Sequence, residues 1–145
     1  MSAQQRAPTP RQVPPATLAA MKQGAFEAAR RAYAPYSRFA VGAAVLCSDG
    51  RIHTGANVEN ASFGLSICAE RNAIFRAVAD GARRIDALLV YTPNGRATPP
   101  CGACRQVLAE FGGAALVVCC TDDDTGERQY LLADLLPDAF GPDHL

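Results

Sequence analysis

Two short cysteine motifs constrain this chain more than any other feature. Cys68 is followed two residues later by Glu70, and a PCGAC motif places Cys101 and Cys104 three residues apart. Each motif follows a loop and opens a predicted helix, where unpaired N–H groups and the helix dipole stabilise thiolates. The intervening segment is predicted as helix, strand and loop, and a βαβ arrangement brings the two helix starts side by side. The fold is therefore expected to gather three thiols at one point.

Three thiolates at one point are typical of a tetrahedral zinc site whose fourth position is open, where a water can be activated. Glu70 is close enough in sequence to move the protons of that water. Two alternatives compete. A redox C-x-x-C pair would leave Cys68 and Glu70 without a role, and a structural zinc would need a fourth protein ligand. The candidates for that ligand, none at finger-like spacing, are Cys47, His53, Cys119, Cys120 and His144. The pattern favours one catalytic zinc ion per chain.

Arg71 directly follows the predicted proton carrier. A zinc ion with three thiolates carries a formal charge of about −1, so it polarises water less than a site built from histidines. Arg71 is the nearest side chain that could compensate, by donating to the sulfur atoms as a second-shell group. The alternative is an ordinary surface arginine, and the sequence leaves the two open.

The hydrophobic pattern predicts one α/β domain over residues 17–145, after a Pro- and Gln-rich tail at residues 1–16 that is expected to be disordered. Helices are expected at 17–34, from 68 to Gly81 and from 101 to Gly112; strands are expected at 39–47, 51–57, 85–92, 114–120 and 127–131. The order αββαβαββ predicts a mixed sheet with helices on both faces. Residues 58–67 lack a clear period, which is typical of a functional loop.

The charge balance argues against nucleic acid and anionic membranes as partners. Fourteen basic residues equal fourteen acidic ones, so there is no surplus positive charge for phosphate. The N-terminus has no apolar core of the signal-peptide type, and no apolar run approaches the length of a membrane span. The cysteines are therefore expected to be reduced, in a cytoplasmic protein. A hydrophobic content of 49% fits additional burial in an oligomer.

Several strings of this sequence resemble the cytidine deaminases, in particular the small homotetrameric kind that acts on free nucleosides. They are YSRFAVGAAV, TGANVENASFG, ICAERNAIF, PCGACRQVLAEF and LLPDAFGP, and the similarity covers about residues 17–142. The zinc motif alone indicates the wider deaminase superfamily. The strings NVENAS and, near the C-terminus, AFGP narrow the resemblance from that superfamily to the cytidine deaminase family. The resemblance implies a three-layer α/β/α sandwich around a five-stranded mixed sheet.

The resemblance also implies a role for each matching residue. The zinc ligands would be Cys68, Cys101 and Cys104, with Glu70 as the proton shuttle. The substrate-binding residues would be Phe39 beside the pyrimidine, Asn57 and Glu59 at the ribose 3′-hydroxyl, Ala61, Ala69 and Phe140. Ala61 lies with Phe63 in a loop that would reach another subunit, and Phe140 would close a neighbouring subunit's site.

Some of these roles also make independent physical sense. Asn57 and Glu59 stand two apart at the end of a predicted strand, so their side chains point the same way. An amide and a carboxylate can hold sugar hydroxyls through charge-assisted hydrogen bonds. The alternative is turn capping by polar residues. Phe39 and Phe140, taken alone, are more typical of a core, although Phe140 lies in a short tail.

The sequence as a whole predicts a zinc hydrolase of pyrimidine salvage. It would convert cytidine and 2′-deoxycytidine to uridine and 2′-deoxyuridine with release of ammonia, with Glu70 moving the protons. Its rivals are a blasticidin-type or other nucleoside-analogue deaminase, a polynucleotide deaminase and a non-catalytic zinc-stabilised protein. The strings NVEN and AFGP argue against an analogue deaminase, and the charge balance argues against a polynucleotide deaminase. Glu70 argues against a non-catalytic zinc protein.

Overall fold

The computed structural model describes residues 12–93, 95–123 and 126–145. Five strands are present in these ranges: β1 (Gly42–Cys47), β2 (Ile52–Ala56), β3 (Ile85–Tyr91), β4 (Leu116–Cys120) and β5 (Arg128–Leu131). The α-helices are α1 (Pro15–Ala29), α2 (Ala69–Ala79), α3 (Gly102–Phe111) and α4 (Leu132–Leu135). Residues 1–11 of the expected disordered tail lie outside the described residues.

The five strands form one mixed sheet in the order β2-β1-β3-β4-β5. β3 and β4 are parallel, and the other neighbouring pairs are antiparallel. Parallel neighbours need a long crossover connection, which the segment containing α3 supplies. The loop that carries Cys101 therefore leaves the carboxyl end of β3, the edge at which open α/β sheets commonly bind ligands.

The central strands are apolar on both faces because helices cover both faces. Leu89 of β3 belongs to the buried cluster that contains Met21 of α1. Its neighbour Leu88 points the other way and joins a cluster with Ile74 of α2 and Leu108 of α3. The expected α/β/α sandwich around a five-stranded mixed sheet is confirmed.

Two glycines allow the sheet to approach its helices backbone against backbone. A Cβ atom on Gly42 would lie 1.8 Å from the carbonyl oxygen of Ala25 in α1. A Cβ atom on Gly55 would lie 2.4 Å from the backbone nitrogen of Ala73 in α2. No side chain fits at either position. The second contact fixes α2, and with it the Cys68–Glu70 motif at its start, against strand β2.

The first helix differs from its expected bounds at both ends. It begins at Pro15, so residues 15 and 16 of the expected disordered tail are helical. Proline suits the first helical position, because its missing N–H would have no partner there and its φ is already helical. The helix ends at Ala29 instead of residue 34. Beyond it, the Tyr33 N–H donates to the Asn57 carbonyl, so this segment pairs with the loop after β2.

The structure also differs from the expected elements at the start of β1 and in an additional short helix, α4. Strand β1 begins at Gly42 and not at residue 39. The reason is that the Val41 N–H donates to the Asn57 side chain, 2.9 Å away, instead of to a neighbouring strand. Helix α4 was not predicted, because its four residues are too few to show a helical period.

Some large apolar side chains remain on the surface of the single chain. Phe63 is 72% exposed, Leu65 is 65% exposed and Phe140 is 60% exposed. The first two lie in the loop after β2, and the third lies in the C-terminal segment. In the described ranges, no helix combines the length and the apolar character needed to span a bilayer.

Candidate active site and metal centre

The three motif cysteines meet at the starts of two helices. Cys68 is the N-cap of α2, Cys101 is the N-cap of α3, and Cys104 lies in the first turn of α3. The Cys101 Sγ atom lies 3.9 Å from Cys68 Sγ and 3.5 Å from Cys104 Sγ. All three sulfur atoms lie within 4.8 Å of one another. Sulfur atoms bound tetrahedrally to zinc at about 2.3 Å are roughly 3.8 Å apart, so this spacing suits a shared ion.

The local backbone leaves these thiols free to face one another. Cys68 and Cys101 both have extended backbone, with ψ of 155° and 168°, and neither side chain caps its own helix. The unpaired N–H groups of two first turns therefore face the same region. Together with the helix dipoles, they create a positive potential that stabilises thiolates.

Arg71 adds a positive side chain to this region. Its Nη2 atom lies 3.4 Å from Cys68 Sγ. Hydrogen bonds from the Cys104 thiol and from Arg71 lower the pKa of Cys68 to about 5, whereas the hydrogen bond to Cys68, together with burial, raises the pKa of Cys104. The Arg71 Nε atom is buried and has no hydrogen-bond acceptor in the described part of the chain. This position favours the charge-compensating role over that of a surface arginine.

Glu70 points into the same space as the thiols. Its Oε2 atom lies 3.6 Å from Cys104 Sγ, and the residue is only 6% exposed. Burial raises the pKa of Glu70, and the negative charge of Cys68 acts in the same direction. A carboxylate with a raised pKa is a stronger base than an ordinary one, which suits general acid–base catalysis.

A cavity of about 210 Å³ opens beside the cysteines. Cys68, Glu70 and Cys101 line it. The predicted substrate-binding residues that also line it are Phe39, Asn57, Glu59 and Ala69. Residues that sequence reasoning missed are Ser37, Val41, Val90, Thr92 and Thr98. Of these five residues, only Val90 and Thr92 carried a signal in the sequence, because they lie at the carboxyl end of β3, beside the cysteine loop.

Asn57 and Glu59 hold one wall of this cavity through its backbone. Asn57 Oδ1 accepts from the Val41 N–H at 2.9 Å, and Nδ2 donates to the Phe39 carbonyl at 2.8 Å. Glu59 Oε1 accepts from the N–H groups of Tyr36 and Ser37. Hydrogen bonds from the Ser37 side chain and backbone lower the pKa of Glu59. Both side chains therefore cap backbone groups of the segment that carries Phe39, as the alternative interpretation expected. Both also line the cavity.

The structure does not bring Ala61 or Phe140 to this cavity. Ala61 is exposed in the loop after β2. The Phe140 ring stacks on His144 with ring centroids 5.3 Å apart, and the Phe140 carbonyl accepts from Gln106 Nε2 of α3 at 3.0 Å. Their expected action at a neighbouring subunit's site stays a prediction.

Comparisons with known proteins agree with this geometry. A family model described as "Cytidine and deoxycytidylate deaminase zinc-binding region" matches residues 16–121. A cytidine deaminase of Mycobacterium tuberculosis is 49% identical over 125 residues, which cover 86% of this chain and 90% of that protein. This chain belongs to the cytidine deaminase family.

Two further cytidine deaminases are similar over most of their length. One from Halalkalibacterium halodurans is 47% identical over 116 residues, which cover 80% of this chain and 88% of that protein. A 1.6 Å crystal structure of the enzyme from Burkholderia pseudomallei has a TM-score of 0.79 at 46% identity, and the match covers 84% of this chain and 98% of that one. The shared fold is therefore that of solved cytidine deaminases.

The donor set of this chain suits zinc. Cys68, Cys101 and Cys104 are the one converging set of three or more His, Cys, Asp or Glu side chains within the described ranges. No candidate fourth ligand joins them there, which argues against a closed structural site. All six cysteines are free, so Cys101 and Cys104 do not form a disulfide. The chain is a zinc-dependent deaminase, and its three thiols leave the fourth position for a small ligand.

His53, a rejected ligand candidate, has a different place in the cytidine deaminase fold. Its Nδ1 atom lies 3.6 Å from Cys47 Sγ, and its Nε2 atom lies 2.9 Å from Asp80 Oδ2. Arg51 reaches the same carboxylate at 3.3 Å. The hydrogen bond from His53 lowers the pKa of Asp80. This cluster joins the β1–β2 hairpin to the C-terminal end of α2, outside the metal site.

Proposed function

We propose that this chain hydrolyses cytidine and 2′-deoxycytidine to uridine and 2′-deoxyuridine, with release of ammonia. The observation that carries the proposal is the position of Glu70. Its buried carboxyl group lies 3.6 Å from Cys104 Sγ, and it lines a cavity that also contains Cys68 and Cys101. A proton carrier at the edge of a three-thiolate cradle is the arrangement that hydrolytic removal of an amino group requires.

Cys68, Cys101 and Cys104 would hold the zinc ion. When bound, zinc acts as a Lewis acid that makes a water molecule more acidic. Glu70 then takes one proton from the attacking water and delivers it to ring N3, while the water oxygen adds to C4. Glu70 next takes the remaining proton from the new C4 hydroxyl group and passes it to the departing amino group, so that ammonia leaves and the C4 carbonyl forms. Burial of Glu70, which raises its pKa, suits it to both steps.

The cavity wall would position the nucleoside. Phe39 packs beside the pyrimidine, while Asn57 and Glu59 hold the ribose 3′-hydroxyl. These roles are compatible with their backbone contacts, because a carboxylate has two oxygens and Glu59 uses Oε1 for Tyr36 and Ser37. Ala69, fully buried at the start of α2, lines the cavity beside Cys68 and Glu70.

The active assembly would be a homotetramer in which neighbouring subunits complete each site. Phe63 and Phe140 expose 72% and 60% of their surfaces in the single chain, and Ala61 is also exposed. Apolar residues of this kind in a loop and a tail suit an interface better than water. A closed tetramer would most naturally have dihedral symmetry, which repeats each contact.

The cellular role would be pyrimidine salvage in the cytoplasm. The six free cysteines support a reducing compartment. Cell fractionation would test the location: recovery in a secreted or periplasmic fraction would contradict it.

A substrate panel tests the proposed activity. Zinc-loaded protein should release ammonia from cytidine and deoxycytidine, and much less efficiently from blasticidin. Cytidine monophosphate should be a poor substrate, because a phosphate near Glu59 would be repelled and the chain has no surplus positive charge. Preference for blasticidin would favour the analogue deaminases, and comparable efficiency on the monophosphate would overturn the nucleoside assignment. Absence of turnover at full zinc occupancy would favour a non-catalytic zinc protein.

A further inference from the structure

Arg105 donates hydrogen bonds to the backbone on both sides of Cys101, one of the three proposed metal ligands. Its side-chain Nε donates to the Pro100 carbonyl at 2.7 Å. Its backbone N–H donates to the Cys101 carbonyl at 3.0 Å. These two carbonyls belong to the peptide units that flank the Cys101 Cα atom. Arg105 therefore contacts both peptide units that set the direction of the Cα–Cβ bond of Cys101.

The same guanidinium reaches the C-terminal segment. Arg105 Nη1 donates to the Leu135 carbonyl at 2.8 Å. Leu135 is the last residue of α4, where carbonyls have no partner within the helix. The next residue of α3, Gln106, donates from Nε2 to the Phe140 carbonyl at 3.0 Å. Two successive residues of α3 therefore hold the two ends of the segment from Leu135 to Phe140.

We propose that Arg105 is a positioning residue that couples the metal loop to the C-terminal segment. Its Nε atom holds the backbone next to Cys101, and its Nη1 atom holds the start of the segment that leads from Leu135 to Phe140. Gln106 holds only the C-terminal segment, through the Phe140 carbonyl. The part that concerns substrate affinity rests on the function proposed above, whereas the part that concerns metal retention does not.

The chemistry of arginine explains why this residue type stands here. A guanidinium is planar, always charged, and presents several donors in a fixed fork. Lysine keeps the charge, but its compact ammonium group cannot reproduce that fork, so it cannot hold both carbonyls in the same geometry. Arg105→Lys therefore removes the coupling while preserving charge and much of the packing.

The chain offers a matched control in Arg83. This residue also donates from its guanidinium to two backbone carbonyls, those of Val78 at 3.0 Å and Ala82 at 2.7 Å. Those carbonyls lie at the C-terminal end of α2 and just beyond it, and Arg83 lines neither the cysteine cradle nor the adjoining cavity. Arg83→Lys reports the general cost of losing such a bridge.

The test compares Arg105→Lys, Gln106→Leu and Arg83→Lys in the zinc-loaded protein. Zinc release to a chelator is followed with a metal indicator, and deuterium exchange is followed in the peptide that contains Phe140. KM and kcat for cytidine are measured separately. Arg105→Lys should lose zinc about ten-fold faster, because groups behind metal ligands contribute roughly 10–100-fold to affinity. It should also exchange faster in the C-terminal peptide and show a raised KM.

Gln106→Leu should keep wild-type zinc release, exchange faster near Phe140 and raise KM roughly two- to ten-fold, the loss expected for a displaced aromatic contact. Arg83→Lys should match wild type in all three readouts. Wild-type zinc release and exchange in Arg105→Lys would overturn the proposal, as would equal changes in Arg83→Lys. Should Arg105→Lys fail to fold, Gln106→Leu decides the C-terminal half: faster exchange supports it, and wild-type exchange overturns it. Absence of cytidine turnover in wild type would remove only the proposed function, since release and exchange need no activity.

Discussion

Glu70 Oε2 and Cys104 Sγ lie 3.6 Å apart, although the two residues belong to different helices. The contact joins the proton carrier on α2 to the metal cradle on α3. Glu70→Gln keeps the size of this side chain but cannot carry protons. We expect zinc content to stay at one ion per chain, while kcat falls by roughly 10²–10⁴-fold, about 3–5 kcal/mol. Metal analysis and ammonia release on the same sample give the answer, and near-normal turnover with full zinc would refute the mechanism.

Replacement of any one of Cys68, Cys101 or Cys104 by alanine should reduce metal content and activity together. A two-thiol remnant no longer has the three donors that converge within 4.8 Å. Cys119→Ala, which removes a buried thiol outside the cradle, is the control for a general loss of cysteine. Full zinc occupancy in Cys101→Ala would exclude Cys101 as a ligand.

Arg71→Gln should lower activity more than it lowers stability. The substitution removes the positive group that lies 3.4 Å from Cys68 Sγ, so the thiolates would hold more uncompensated charge. Changes behind metal ligands typically cost roughly 10–100-fold in affinity or activity. Arg76→Gln, an exposed position on the same helix, should have little effect. Equal activity of the two variants would return Arg71 to the class of surface arginines.

Phe140→Ala should raise KM while zinc content stays normal. The aromatic contact contributes about 0.5–1.5 kcal/mol beyond area burial, so its loss mainly weakens binding. Mixing Phe140→Ala subunits with Glu70→Gln subunits tests whether sites are shared. Some mixed interfaces would then pair an intact Glu70 with an intact Phe140 and recover efficient turnover at low substrate. A fully active monomer by light scattering, or no recovery after verified mixing, would exclude shared sites.

Asp80→Asn should change how stability depends on pH. The pKa of Asp80 is lowered from its usual 3.8 by the hydrogen bond from His53. The folded state therefore binds this proton less readily than the unfolded chain, so the contact stabilises the protein above pH 3.8 and is lost as the pH falls through the lowered pKa. Relative to wild type, Asp80→Asn should be less stable near neutral pH, with the difference shrinking in acid. Urea midpoints across this range measure it, with the exposed Asp134→Asn as the control; a constant difference at all pH values would contradict the linkage.

Gly42→Ala should destabilise the fold by about 1–3 kcal/mol or more, because the new methyl group would overlap the α1 backbone. The added Cβ would stand 1.8 Å from the Ala25 carbonyl oxygen. Gly64→Ala is the matched control, since a Cβ there meets nothing within 4 Å. Urea unfolding curves should separate the two variants, and similar midpoints would mean that α1 can shift away from β1 at little cost.

The cysteine motifs predicted the metal site because their chemistry and spacing are both local. Cys68 and Cys101 are helix N-caps and Cys104 lies in a first turn, and periodicity locates helix starts well. The mixed sheet followed equally from the order of elements. Arg105 escaped prediction because its acceptors are the carbonyls of Pro100 and Leu135, and any residue type carries a carbonyl. Contacts to backbone leave no mark in the sequence of the acceptor.

Asn57 illustrates a second limit of sequence reasoning. Asn57 and Glu59 line the same cavity. Their spacing in the sequence could not show that the Asn57 amide spans two backbone groups, at Phe39 and Val41. That contact also makes strand β1 begin later than alternation suggests, because the Asn57 side chain takes the place of a neighbouring strand at Val41. Local pattern predicts elements, whereas side-chain bridges across the fold set their bounds.

The arrangement of the thiols along the chain has a consequence for a truncated chain. All three belong to the stretch between Cys68 and Cys104, which leaves the ribosome before Leu135 and Phe140. The three metal donors therefore precede, along the chain, the segment that Arg105 and Gln106 hold. A chain truncated after Cys104 would keep all three donors but lack the segment from Leu135 to Phe140, so its zinc affinity would report how far the metal site depends on that segment.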